Sequence, residues 1–583
     1  MKRIAWILGA VGLAAVALFA LIVALLPRET LAARIGQQIA AWTGREVSMR
    51  GEPEFRFFPE LTVTLKDVQV AGPDGMTDAA LISMERLEGR VRFWPLIIGK
   101  VEIGSFTMVR PLIRLVRDEG SKNWAFQSGA AALQLAFSGD VALGEFVLED
   151  GTLIYENRDE ALAERVDSLN LNVDWPSVRQ PVSANGHGRW RGEQVSFSGR
   201  AASPFAFLNG EMTTIEARVD SAPITMVFSG QASDIEDPRL SGALTVSTPS
   251  LRGFAAWMGN PSGPGPRPGP ATLAGQASYH GRTLSVEQAQ LSLDGNNATG
   301  ALNVALSAAP DVTGTLAFPA IDLTPYFAGL SASLDAGEDW RTVRLQTGWF
   351  RDFAADIRLS AGWVQIGRLR FGNTAASATL RDLRLEIGVA QAAFNGGTVA
   401  GDLEISHSAE NPEPAVQAQL RATGVDLAEA APALALPWPL TGTAGLSVDL
   451  AGRGRDFGSL VNSLGGTAAF EVQNGSFPLF GIAEIAAGAG AMPQESRAAA
   501  LTSIQSLSAD FSFSGGMAQL DQADIVAPSF TAQATGSIGL LDGRLALNGS
   551  AIPISQGTAA SPTPFKIDGT LLQPDARPLA LAN

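Results

Sequence analysis

Leu61-Thr62-Val63-Thr64-Leu65-Lys66-Asp67-Val68-Gln69-Val70 is the stretch that decides the fold class. Apolar and polar side chains alternate with a period of two, the pattern of a strand with one covered face. At Asp67 the phase flips, and Val68 and Val70 take over from Leu61, Val63 and Leu65, as a β-bulge would make them do. The alternation recurs outward along the chain at Val101 and Ile103, Phe106 and Met108, Ile113 and Leu115. It returns at Leu291 and Leu293, at Leu383, Leu385, Ile387 and Val389, at Phe511 and Phe513, and at Leu545 and Leu547. Turn pairs punctuate these runs: Asp150-Gly151, Asp294-Gly295, Asn395-Gly396, Asn474-Gly475, Asp542-Gly543 and Asp568-Gly569. The expected fold is mainly β, a long antiparallel sheet of hairpins.

Helices are few and short. Ser250-Leu251, Asp322-Leu323, Asp426-Leu427 and Asp456-Phe457 each place a capping residue at the end of a strand and open about two helical turns. Together with the strands they read as a degenerate repeat of several strands followed by one short helix. Residues 478–506, around Ile482, Ile485 and Ile504, form the most helical stretch beyond the N-terminus. Residues 259–270 are Pro- and Gly-rich and fit neither sheet nor helix. The 62 glycines and 33 prolines exclude a helical bundle.

The N-terminus has a different period. Lys2 and Arg3 precede an uncharged run from Ile4 to Leu26 that includes Trp6, Leu13 and Phe19. A helix of about 23 residues reaches roughly 34 Å, enough for a hydrocarbon core of about 30 Å. The run exceeds a signal-peptide core, and Leu25-Leu26-Pro27-Arg28 offers no small-residue cleavage site. A retained single-pass anchor with the N-terminus cytoplasmic is expected. An amphipathic helix follows, with Leu31, Ile35, Ile39 and Trp42 on one stripe and Gly44 as its stop.

Composition excludes several classes of function. There is no cysteine, so disulfide staples and thiolate chemistry are absent. The net charge is −16, and the acidic excess lies beyond residue 120, which argues against nucleic acid as a partner. His187, His280 and His407 stand alone, without a second histidine at metal spacing. No carboxylate pair suggests acid/base or glycosidase chemistry. The expectation is no enzyme, no metal and no cofactor.

The apolar row on each strand has to be covered, at about 25 cal/mol per Å². Either another sheet packs on it, or the sheet curls and holds something apolar. Periodicity does not separate these alternatives.

The chain resembles the AsmA-like family of bacterial inner-membrane-anchored periplasmic proteins. In its N-terminal part the match rests on Trp42-Thr43-Gly44-Arg45, Phe57-Phe58-Pro59-Glu60-Leu61, Phe93-Trp94-Pro95-Leu96 and Val109-Arg110-Pro111-Leu112-Ile113. In its C-terminal part it rests on Phe394-Asn395-Gly396-Gly397, Asp456-Phe457-Gly458-Ser459-Leu460, Gln473-Asn474-Gly475 and Pro564-Phe565-Lys566-Ile567-Asp568-Gly569. The resemblance implies an elongated, curled sheet with a hydrophobic groove, within the wider group of bridge-like lipid-transfer proteins. It implies a role in outer-membrane homeostasis, through phospholipid movement or through effects on outer-membrane protein assembly and targeting. Four segments are expected: a tip and anchor over 1–26, an N-terminal helix with strands over 27–130, a β-rich middle over 131–370, and a C-terminal β region over 371–583 with a helical insert near 478–506. The candidate groove lining is Leu61, Val63, Leu65, Val101, Ile103, Ile113, Leu115, Leu383, Leu385 and Ile387. The expected partners are phospholipid acyl chains, the inner membrane and outer-membrane assembly proteins.

Overall fold

The computed structural model describes residues 47–50, 52–56, 61–72, 80–91, 103–124, 142–177, 179–208, 210–233, 238–260, 268–307, 309–327, 339–407, 413–434, 436, 438–488, 501–554, 561–571 and 573–579. The expected anchor, with Ile4, Trp6, Leu13, Phe19 and Leu26, lies outside them, as do the stripe over 31–44 and Val101. No helix among the described residues is long and apolar enough to cross a membrane. The chain divides into two compact units, one within Met1–Thr248 plus Gln276–Gly281, the other within Pro249–Gly275 plus Arg282–Asn583.

The first unit holds β1 (Val47–Ser48), β2 (Glu54–Arg56), β3 (Leu61–Val70), β4 (Ile82–Val91), β5 (Ile103–Val109), β6 (Leu112–Asp118) and β7 (Ser121–Lys122). It continues with β8 (Ala142–Asn157), β9 (Leu162–Ser177), β10 (Val182–Trp190), β11 (Glu193–Ala201), α1 (Pro204–Leu208), β12 (Thr213–Ser221), β13 (Thr225–Ser233) and β14 (Arg239–Thr248). After α2 (Leu251–Trp257), β15 (Ala271–His280) carries residues of both units. The second unit then runs β16 (Thr283–Leu293), β17 (Asn296–Ala305), β18 (Asp311–Phe318), β19 (Ile321–Asp322), β20 (Ala354–Ile366), β21 (Leu369–Arg381), β22 (Arg384–Phe394), β23 (Gly397–Ser406) and β24 (Ala415–Asp426). It ends with α3 (Leu427–Ala433), β25 (Thr441–Arg453), α4 (Phe457–Ser463), β26 (Gly465–Phe477), α5 (Ile482–Ala486), β27 (Thr502–Ser514), β28 (Met517–Val526), β29 (Phe530–Gly539), β30 (Arg544–Pro553), β31 (Thr563–Thr570) and β32 (Gln573–Pro578).

The mainly β class holds. Most pairings are antiparallel between chain neighbours, for example β10–β11 and β23–β24. The expectation of a purely antiparallel sheet fails in two places. β5 and β6 both run parallel to β8, and β18 and β19 both run parallel to β20. In each case more than a dozen residues separate the paired strands, long enough for the chain to return to the same end before pairing.

The turn pairs divide into two kinds. Asp294-Gly295 and Asn395-Gly396 are two-residue hairpin turns with φ of 51° and 83°, and of 42° and 79°, as a type I′ turn requires. Asp542-Gly543 lies in the β29–β30 turn. Asp150-Gly151, Asn474-Gly475 and Asp568-Gly569 are not turns, because each lies inside a strand. Leu383, expected on a strand, occupies a two-residue turn with Asp382 at φ 62°. Ile504, expected in a helical insert, is in β27; the helix of that region is α5.

The phase flips at Asp67 (φ 47°) as expected, but no residue is extra there, so the flip is not a β-bulge. Register between β3 and β4 is unbroken across it, Lys66 facing Arg86 and Val68 facing Met84. Both strands change phase together: Leu65 and Leu87 are buried before the flip, Val68 and Met84 after it. Arg110 (φ 49°) continues the line, its Nε donating to Glu85 Oε2 at 2.6 Å. Asp150 (φ 52°) and Ser168 (φ 49°) carry it across β8 and β9, and a register shift between His187 and Arg189 carries it into β10. Bulges bend strands, so a seam crossing neighbouring strands bends them along one line. In the second unit, register shifts at Gly372/Ala375, Val389/Ala392, Ala422/Val425 and Thr441/Thr443 repeat the arrangement.

The capping reading holds at the short helices. Ser250 accepts from Gly253 N, Asp426 from Ala428 N, and Asp456 forms a reciprocal capping box with Ser459. The Ser459 backbone N–H, followed by its hydroxyl, holds the Asp456 carboxyl below the usual carboxylate range. Asp322 opens a helical turn over 324–327 by accepting from Thr324 N at 2.9 Å.

Candidate functional site: an apolar sheet face

Register turns strand alternation into rows that cross the sheet. In the second unit one row of facing residues runs Leu359, Ala376, Val389, Gly401, Leu420, Val448, Ala468, Phe511 and Leu520 from β20 to β28. Two residues along each strand lies a second row, Ile357, Ala378, Ile387, Leu403, Ala418 and Leu450. A third holds Leu380, Leu385, Ile405 and Val416. The intervening row on the opposite face is polar: Arg358, Ser377, Gly388, Asp402, Gln419, Asp449, Thr467 and Ser512. Small polar-face residues leave a cleft of about 550 Å³ there, floored by Ala375, Gly388 and Ala400 between Arg358 and Asp402.

The apolar face is covered unevenly. On β20–β24, Leu359, Ile387, Val389, Leu403 and Ala418 are half-buried, and Leu420 is 37% exposed. On β25–β27 the continuing rows (Val448, Leu450, Ala468 and Phe511) are still half-buried, and the sealed core lies beyond the register shifts and over β28–β32: it takes in Phe394 and Val425, Val472 and Phe565 (both 0% exposed), Leu520, Ile525, Ala551, Ile567 and Ala576. Two short helices contribute. α3 packs on β24 and β25, and α5 leaves β26 to pack on β29–β32, with Ile482, Ile485 and Ala486 on one stripe. Phe565 fills the space above Gly549, where a Cβ would meet its Cζ at 2.4 Å.

The first unit carries a similar face. Phe146, Val173, Ala184, Gly199, Ala217, Phe228 and Leu244 form one row across β8–β14. Leu148, Leu171, Gly186, Phe197, Val219, Met226 and Val246 form the next. The row between them reads Val147, Asn172, Asn185, Ser198, Arg218, Val227 and Thr245, mostly polar. Most of the apolar residues are half-buried; Phe228 and Leu244 are buried.

The candidate lining residues scatter over these environments. Leu385 and Ile387 lie on the half-buried face of β22. Ile113 and Leu115 are half-buried in β6, facing Leu153 and Tyr155. Ile103 is in β5, opposite Val91. Leu61, Val63 and Leu65 are fully buried against Met84, Leu87 and Phe106, so their own protein atoms cover them. Within the first unit the candidates fall into two environments, Leu61, Val63 and Leu65 in a core and Ile113 and Leu115 on a half-buried strand. Leu359, Leu403 and Leu420 were missed, although each alternates with polar neighbours and the signal was present.

Charged groups serve the scaffold. Arg191 and the Trp190 indole both bond Glu164, and the Arg191 hydrogen bond holds that carboxyl below its usual range. The Tyr326 hydroxyl donates to Asp294, pinning the 324–327 turn onto the β16–β17 hairpin; burial first and that bond second push its pKa upward. Among the described residues, no three His, Cys, Asp or Glu side chains are grouped to hold a metal ion.

No curated protein and no solved structure matches this chain. The family comparison does: the AsmA family model covers residues 1–311 and 329–523. With that match spanning nearly the whole sequence and with a sheet of many strands carrying an apolar face, the chain belongs to the AsmA family.

Proposed function

We propose that this protein is a non-enzymatic component of the bacterial envelope that binds or conducts phospholipid between membranes and so supports outer-membrane homeostasis. Residues 4–26 anchor it in the inner membrane, with the N-terminus cytoplasmic and the bulk periplasmic. The observation that carries this reading is the apolar face of β20–β24, with three consecutive rows that are half-buried except at Leu380. Rows two residues apart are separated by about 6.6 Å, so three rows make an apolar band about 13 Å wide. Acyl chains laid on it leave water at about 0.8 kcal/mol per CH₂. The polar opposite face remains in water, as an exported lipid carrier requires.

The test is mass spectrometry of the full chain purified from bacterial membranes. Co-purifying phospholipid, lost when Ile387 and Leu403 are both replaced by Asp, is the expected result. Lipid-free protein that also takes up no phospholipid from vesicles sinks the reading. A second reading, a scaffold that influences outer-membrane protein assembly, is favoured by the buried apolar face of β28–β32, which its own protein atoms cover. It calls for a protein partner on crosslinking and no lipid.

A further inference from the structure

Residues 339–353 precede β20 and contain two 3₁₀ turns, Trp340–Thr342 and Gly348–Arg351, yet they touch three separate strand ends of the second unit. The Arg341 guanidinium meets the Leu541 carbonyl in the β29–β30 turn. Around the single bridge Arg344–Asp456, Leu345 N donates to Arg455 O at 2.9 Å and Phe457 N to Val343 O at 3.0 Å. Thr347 Oγ1 lies 2.6 Å from His407 Nε2, just beyond β23. Phe350, 4% exposed, sets its ring edge-on to that imidazole. Ala354 N then donates to Pro310 O at 2.9 Å, beside the start of β18. The segment therefore runs past the ends of β20–β25, along one rim of the strands whose apolar face is half-buried.

Its backbone attachment is light. The described residues show two backbone hydrogen bonds joining 341–353 to the sheet, both at the Arg344 bridge. β23, by contrast, is laddered along its length on both sides. Segments held by few bonds open first and as units. We propose that residues 339–353 form a strap across this rim that lifts as one piece, and that a ligand on the β20–β24 face exchanges over the rim only while the strap is away. The identity of the ligand rests on the lipid reading above; the lifting does not.

The test uses the full chain carrying R344C and D456C. These positions face each other as a non-hydrogen-bonded antiparallel pair, the geometry in which side chains approach most closely. The chain has no other cysteine, so oxidation forms one defined bond within each molecule, and the reduced form of the same variant is the reference. Transfer of a fluorescent phosphatidylethanolamine from the protein to phosphatidylcholine vesicles is expected to slow at least tenfold on oxidation, with bound probe unchanged and the rate restored by dithiothreitol. Hydrogen exchange is expected to show the Leu345 and Phe457 amides exchanging at one common rate, at least tenfold faster than the β23 amides, and slowing on oxidation. Equal transfer rates in the two forms overturn the gating, and strap amides as protected as those of β23 overturn the lifting. If neither form binds the probe, the lipid reading falls, and hydrogen exchange still decides whether the strap lifts.

Discussion

Strands β20–β24 and β28–β32 belong to one continuous ladder, but their apolar faces differ. Leu420 on β24 is 37% exposed, while Phe565 on β31 is fully buried. The local code is alike in both: Leu or Ile alternates with polar or small residues in Ile357-Arg358-Leu359-Ser360 as it does in Leu545-Ala546-Leu547-Asn548. What differs is what arrives from elsewhere in the chain. α5 departs after β26 and lands on β29–β32, and Phe565 fills the gap over Gly549. An alternating strand thus becomes half-open surface or core according to whether another element reaches it.

The largest test of this contrast is a charge on each side. Val472→Asp buries an unpaired carboxylate at a fully buried position and should cost several kcal/mol, unfolding the C-terminal section in a urea melt. Ile387→Asp, on the half-buried face, should leave the melt nearly unchanged and lower lipid occupancy. Comparable destabilisation of both would erase the distinction. Next come truncations. Phe565→Ala should lose about 3–5 kcal/mol, whereas Leu420→Ala should lose only about 1–2 kcal/mol, because 37% of its surface stays in water in the folded chain. Gly549→Ala comes third: its methyl would sit 2.3 Å from Gln533 O and 2.4 Å from Phe565 Cζ, so a loss of about 1–3 kcal/mol is expected in the same melt.

The smallest effect is electrostatic. Lys566 first, and Arg577 second, hold the Asp568 carboxyl below its usual range, tying β31 to β32 at the end of the sealed section. A carboxyl with a depressed folded pKa contributes stability above its unfolded pKa, and that contribution is lost as pH falls through the folded value. Protection of the β32 amides should therefore weaken only below the ordinary carboxylate range, and Asp568→Asn should flatten that dependence. An unchanged acid profile in the variant would remove this pair from the account.

Much of the architecture was legible in local chemistry. Asp294-Gly295 and Asn395-Gly396 announce turns because Gly and Asn accept positive φ at little cost. Asp426 and Asp456 announce helix starts because their carboxylates accept the free N–H groups of a first turn. Asp150-Gly151 and Asn474-Gly475 misled because the same preference for positive φ also makes a bulge, and only the partner strand distinguishes the two. Leu383 misled because its apolar side chain continued the alternation into a turn.

The amino-acid sequence alone determined that this chain forms strands with one apolar face, where many of them turn, and which residues cap its short helices, since each depends on side chains a few positions apart. The tertiary structure alone decided that bulges line up across neighbouring strands, that two joins run parallel, that a strap ties three strand ends, and which apolar rows stay half-open. Those features depend on elements tens to hundreds of residues apart meeting in space, and no local pattern carries that information.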